Sequence, residues 1–167
     1  MVMPEFTRPR YNVTVITTEF EITGQIEPIG PWLDYLNAKD KYTLPIHNAH
    51  ILAIGTSVGP APEKPLVLVN RADICFIYLP DRNSHQNVNM LRNVVAAIAH
   101  IGPVICRAEF HMGVDANLLT FMDDLPGNFF PVTNADLHAK VTLPAPLPHK
   151  AEVLIVNRLH VPVYHAA

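Results

Sequence analysis

A chain of 167 residues with 15 acidic and 12 basic side chains has a formal net charge of -3, which offers no overall attraction to nucleic acid or to an anionic membrane. Hydrophobic residues make up 49% and charged residues only 16%, against roughly 25% charged in ordinary soluble domains, so a core can form and disorder is excluded for most of the length. The 16 prolines, about twice ordinary usage, exclude a mostly helical bundle, because proline breaks helix interiors.

The opening stretch, Met1 to Arg10, has no long apolar run behind its charges, which argues against a signal peptide. No segment approaches the roughly 18 apolar residues of a membrane helix, so no membrane partner and a cytoplasmic location are expected. Residues 13–17 alternate and are β-branched, predicting a strand, and residues 19–27 predict a second. A short helical turn is expected at residues 32–36, then a strand at 49–54 and a Pro-rich loop at 55–65. Strands at 66–69 and 74–79 follow, joined by the tight turn Asn70-Arg71-Ala72-Asp73. Residues 82–93, polar and rich in Asn, read as a linker ending in a short helix. Residues 90–100 taken alone suit a helix. Gly102-Pro103 then turns into a strand at 104–111. A helical turn at 116–122 has Asp115 as its N-cap and Pro126-Gly127 as its stop.

The chain also repeats itself. Pro45-Ile46-His47-Asn48-Ala49-His50-Ile51 is echoed by Pro131-Val132-Thr133-Asn134-Ala135-Asp136-Leu137, an offset of 86. Leu33-Asp34-Tyr35-Leu36-Asn37 lies over Leu119-Thr120-Phe121-Met122-Asp123 at the same offset. Leu66-Val67-Leu68-Val69-Asn70-Arg71 lies over Val153-Leu154-Ile155-Val156-Asn157-Arg158 at 87. Pro60-Ala61-Pro62 has its match in Pro144-Ala145-Pro146. Four blocks in one order point to a tandem duplication. The duplication turns residues 94–100 into a strand, the counterpart of 13–17. Asn48 and Asn134 are expected at the start of a strand.

Val13-x-Val15, Ile22-x-Gly24-x-Ile26, Asp34-x-x-Asn37, Leu44 and Ala49 resemble the first motif of Sm-like proteins. Val67 to Ile77 is similar to their second motif, a strand, an Arg-Gly turn and a strand. The resemblance covers about half of each repeat and implies a bent five-stranded barrel that assembles edge to edge into rings. It also implies RNA binding in many members, with Tyr35 to stack on a base and Asn37 to hydrogen-bond it. This chain departs from the family at those positions. Asn70 occupies the Arg position and Arg71 the Gly position, while the second repeat has Asp123 in place of the Asn and Asn157-Arg158 in its turn.

Both halves keep an Asn-Arg pair, Asn70-Arg71 and Asn157-Arg158. These residues, with Tyr35 and Asn37, are the candidate ligand contacts. Their structural reading is that Asn suits the turn while Arg pairs with a carboxylate or carbonyl. His47 and His50, three apart in a strand, are expected on opposite faces. His111 and Asp115 flank Gly113 and are the candidate metal ligands, although no histidine has a histidine counterpart in the other repeat. Asp123-Asp124 reads as a solvated helix end. Cys75 and Cys106, in apolar surroundings and without zinc spacing, read as buried free thiols. No catalytic constellation and no cofactor motif is present.

The expectation is therefore a mainly β chain of two tandem five-stranded Sm-like small barrels, each with a short helical insertion. The repeats span 1–81 and 94–167, with the linker at 82–93. The expected function is a non-enzymatic binding and assembly module that forms a homo-oligomer, a dimer or a ring of three copies, its few charges reflecting surface covered by other copies. The alternatives are single-stranded RNA binding through Tyr35, Asn37 and Arg71, and a metal protein or enzyme using His111 and Asp115.

Overall fold

The computed structural model describes residues 7–55 and 62–167; most of the first Pro-rich loop, including Ser57 and Pro60-Ala61, lies outside them. The first half runs β1 (Tyr11–Thr17), β2 (Phe20–Ile26), α1 (Trp32–Leu36), β3 (Thr43–Ala53), β4 (Lys64–Asn70) and β5 (Ile74–Tyr78). After α2 (Arg82–His85) the second half runs β6 (Asn93–Ile101), β7 (Val104–Met112), α3 (Phe121–Asp124), β8 (Phe129–Ala139), β9 (Lys150–Asn157) and β10 (Val163–Ala166). Short 3-10 turns, Arg71–Asp73 and Arg158–His160, link the last two strands of each half.

The ten strands form one antiparallel sheet in the order β10-β6-β7-β8-β9-β5-β1-β2-β3-β4. The sheet does not close. Among the described residues, β10 and β4 each have a strand neighbour on one side only. The halves meet where β5 pairs with β9, with Phe76 opposite Val156, Ile77 opposite Ile155 and Tyr78 opposite Leu154.

The strand reading of β6 holds for a physical reason. Ala97, Ala99 and Ile101 are buried while their neighbours are not, the period of two that a strand requires. β3 begins six residues earlier than expected, because Thr43 to Ile46 pair with β4. The short helix α2 opens the linker instead of ending it. It is held there by Trp32, whose indole nitrogen donates to the Ser84 carbonyl at 3.1 Å. Asp115 does not cap α3. The amides before that helix, Leu119 and Thr120, donate to the Asn117 side chain at 3.0 and 3.3 Å.

Asn48 and Asn134 lie inside β3 and β8, not at their starts. Both have positive φ, 50° and 48°, a region that asparagine tolerates better than most residues. Each sits at a break in register. His47 and His50 pair with Gln25 and Thr23, so Asn48 and Ala49 together face the single residue Gly24. This is a β-bulge, and Thr133 and Asp136 repeat it against Glu109 and Arg107. The first bulge needs its glycine: a Cβ on Gly24 would lie 2.6 Å from Ile46 Cγ2 and 2.8 Å from the His47 carbonyl oxygen.

Two hydrophobic clusters flank the β5–β9 joint, and each takes side chains from the other half. Val13, Val15, Trp32, Leu44 and Ile46 of the first half pack with Phe129, Val153 and Ile155 of the second. Ala99, Val104, Phe110 and Leu137 of the second pack with Ile16, Cys75 and Phe76 of the first. At roughly 1.5–3 kcal/mol for each large apolar side chain buried, these exchanged residues make the joint part of the core.

The Pro-rich loop before β9 also crosses to the first half, where the Ala145 amide donates to the Glu21 carboxylate at 3.2 Å. Glu21 is buried. Desolvation holds its pKa above the ordinary value, and the Ala145 bond opposes the shift. A raised carboxyl pKa means the folded chain keeps a proton that the unfolded chain has released. Stability therefore falls as pH rises from the ordinary carboxylate range through the folded value. Glu21→Gln is expected to remove that slope and raise the denaturant midpoint at neutral pH. An unchanged pH profile in urea titrations would refute this.

Candidate functional site

The Asn-Arg turns are built alike. Arg71 is buried. Its Nε donates to the Thr43 carbonyl at 3.1 Å, and its Nη1 donates to the carbonyls of Leu36, at 3.0 Å, and Tyr35. The guanidinium carbon stands 5.0 Å from the Tyr35 ring centroid, in range for a cation–π contact. Arg71 thus clamps the end of α1 to the start of β3. Burial lowers the guanidinium pKa, opposed by Tyr35 and Asp40, and burial raises that of the Tyr35 phenol, opposed by Arg71. Arg158 makes the equivalent clamp, donating to Asn128 Oδ1 at 2.9 Å and to the carbonyls of Met122 and Leu125 at 2.9 and 3.2 Å. In both turns the arginine pairs with carbonyls.

The two asparagines that join the halves are less alike. Asn37 spans the joint: its Nδ2 donates to the Phe129 carbonyl at 3.0 Å and its Oδ1 accepts from the Phe129 amide at 2.8 Å. Gly127 allows this approach, since a Cβ there would meet Asn37 Cγ at 2.4 Å. Asn157, fully buried, donates to the carbonyls of Ile74 at 2.9 Å and Arg71 at 3.4 Å, and accepts from the Leu159 amide at 3.1 Å. Asn70, by contrast, is exposed, and its side chain does not cap the turn that follows.

Asn37, Arg71, Asn157 and Arg158 come together around a cavity of about 410 Å³ at the junction of the halves. Tyr35 lies against Arg71, and Asn70 lines a separate groove beside β4. Lys39, Lys41, Tyr42 and Asn128 also line the cavity; the first three lie in a polar stretch following Asn37, and Asn128 carries no such signal. No protein-family model, curated protein or solved structure matches the chain. Among the described residues, the cavity lining offers amides, cations and a phenol, with no carboxylate, imidazole, thiol or aliphatic hydroxyl. The side chains of Asn37, Asn157, Arg71 and Arg158 are already bonded to backbone.

The histidines stand elsewhere. His47 and His50 share a face, contrary to the odd-spacing expectation, because the bulge at Asn48 adds a residue between them. His50 lies 4.0 Å from Glu63. His111 is held through Nδ1 to the Leu91 carbonyl at 2.8 Å and through Nε2 to Thr133 Oγ1 at 2.7 Å. Thr133 and Asn134 in turn reach Glu109. That network runs away from Asp115, which is exposed in the following turn. Among the described residues, no three His, Cys, Asp or Glu side chains gather as a metal site. Asp123 and Asp124 are exposed at the end of α3. Cys75 and Cys106 are buried free thiols, their pKa values pushed up to about 12 by desolvation. No helix among the described residues is long and apolar enough to cross a membrane.

The open strand edges form the other candidate surface. Leu66 and Leu68 on β4 are 51% and 60% exposed, and Val163 on β10 is 54% exposed. Their counterparts at the internal joint, Val153, Ile155 and Phe76, are 4%, 0% and 0% exposed.

Proposed function

We propose that the chain is a tandem pair of Sm-like small barrels, within the bounds 1–81 and 94–167, acting as a non-enzymatic assembly and binding module that self-associates through its strand edges. Support comes from the order β5-β1-β2-β3-β4 recurring as β10-β6-β7-β8-β9, with the same bulge and the same arginine clamp. The β5–β9 pairing carries the reading. It joins two such units edge to edge within one chain and leaves the equivalent strands, β10 and β4, with a neighbour missing. Unpaired edges with exposed Leu and Val are surfaces that proteins usually cover. A cytoplasmic location belongs to the same proposal, consistent with two free thiols.

Light scattering tests it. The expected mass is a multiple of 18.6 kDa, three copies if six units form a ring. A mass of one chain at every concentration would overturn the reading. Single-stranded RNA binding draws less support, because the groups it would use on Asn37 and Arg71 are bonded to backbone.

A further inference from the structure

We infer that the Pro-rich loop before β9 is a pH-operated strap, closed over Glu21 while that carboxyl holds a proton and lifted when it ionises. The device is independent of assembly. Glu21 stands on the face of β2 where its partners across the strands are the apolar Ile16 and Leu52, and it is only 1% exposed. Its bond to the loop is the one from the Ala145 amide, at 3.2 Å. A carboxylate there has given up its water for a single neutral donor, a poor exchange for an ion and an adequate one for the uncharged acid. The titratable groups on the surrounding elements are Glu19 in the preceding turn, His50 and Glu63 across β3, and Lys140, His149 and Lys150 at the ends of the strap. His50 faces Glu63, Lys150 faces Asp136, and the others are exposed. The Cys75 thiol of β5, in the same cluster as Ile16, is pushed up to about 12 and stays neutral. None of these acts on Glu21, whose ionisation is governed by burial first and then by the Ala145 amide.

The strap is the part of these surroundings that yields most easily. Pro144, Pro146 and Pro148 have no amide to donate. Among the described residues, the Ala145–Glu21 bond is the only hydrogen bond made by residues 141–148. The ends are fixed: the Lys140 amide donates to the Pro103 carbonyl and the Leu137 amide to the His149 carbonyl, both at 2.8 Å. Between them Leu147 packs on the second half's core. A cavity of about 310 Å³ nevertheless lies beneath, between Val104, Leu137 and Ala139 of the sheet and Leu143, Pro146 and Leu147 of the strap. Lifting the strap hydrates the carboxylate for the loss of one hydrogen bond and a thin, imperfect layer of packing. Freeing β2 would break its ladders with both β1 and β3. The direction follows from the burial of the acid. Desolvation keeps Glu21 protonated above the ordinary carboxylate range, so the closed form holds the proton more tightly than the open one. Acid closes the strap and rising pH opens it.

Nuclear magnetic resonance of the folded chain tests this. As pH rises, the carboxyl carbon of Glu21 and the amide of Ala145 are expected to shift with one common midpoint. Over the same interval the exchange protection of the Ala145 amide, corrected for the intrinsic rate, should fall by about tenfold for each pH unit between the closed and open titration points. The Leu137 and Lys140 amides at the ends of the strap should keep their protection. Glu21→Gln leaves a neutral acceptor for Ala145 and removes the titration, so its Ala145 amide should keep acid-level protection at neutral pH. His50→Gln and His149→Gln should still show the transition. Separate midpoints for Glu21 and Ala145, a transition that survives in Glu21→Gln, or one that is lost in a histidine variant would assign the change to another group and overturn the strap. Ala145 protection that does not vary with pH, or that falls together with Leu137 and Lys140, overturns it equally.

Discussion

Replacing Arg71 with methionine is expected to lower stability by about 3–4 kcal/mol, a large share of the roughly 5–15 kcal/mol that holds a domain folded. Methionine keeps much of the apolar stem but strands the carbonyls of Tyr35, Leu36 and Thr43. Tyr35 also loses the cation over its ring. Arg158→Met should cost less, about 2 kcal/mol, because Arg158 is only partly buried and water can reach the groups it leaves. Urea unfolding of the two variants beside the wild type measures both. A loss below about 1 kcal/mol for Arg71→Met would mean the clamp is not structural and would return Arg71 to the list of free ligand contacts.

Asn157→Ala is expected to cost about 2–3 kcal/mol, since it leaves the Leu159 amide and the Arg71 and Ile74 carbonyls without the partner that the buried Asn157 side chain provides. Asn157→Asp separates the roles of the two ends of the amide. The aspartate can still accept from Leu159, but its second oxygen faces two carbonyls. Its protonated form can donate to one of them, so this variant should lose more stability at neutral pH than at acid pH. Denaturant midpoints at the two pH values check the sign. Equal losses would show that the side chain's donors do not matter.

What was legible in the sequence and what was not follows from the range of the interactions. Strands showed because their period of two is written in adjacent residues, and β6 showed because its counterpart alternates more clearly. The bulges did not. Asn48 carries no local mark separating a turn from a strand interior, and one inserted residue was enough to reverse the expected facing of His47 and His50. Asn37 was picked out as a ligand contact, but its partner is the Phe129 backbone, far along the chain, and a backbone amide leaves no signature in a sequence. Arg71 and Arg158 were marked by the repeat, and their carbonyl partners matched the structural reading. The echoed blocks carry no sign of how the edges of the two halves meet. The β5–β9 pairing that merges them into one open sheet depends on tertiary contact alone.

Amide hydrogen exchange along β4 and β10 tests the edge-pairing account most directly. In a strand, alternate amides point to the neighbour on each side. If copies pair through these edges, the outward amides of Leu66 and Leu68 and of Tyr164 and Ala166 should be protected to the level of β5 and β9 in the same sample. Exchange at those edges as fast as in exposed loops, at the highest workable protein concentration, would contradict it.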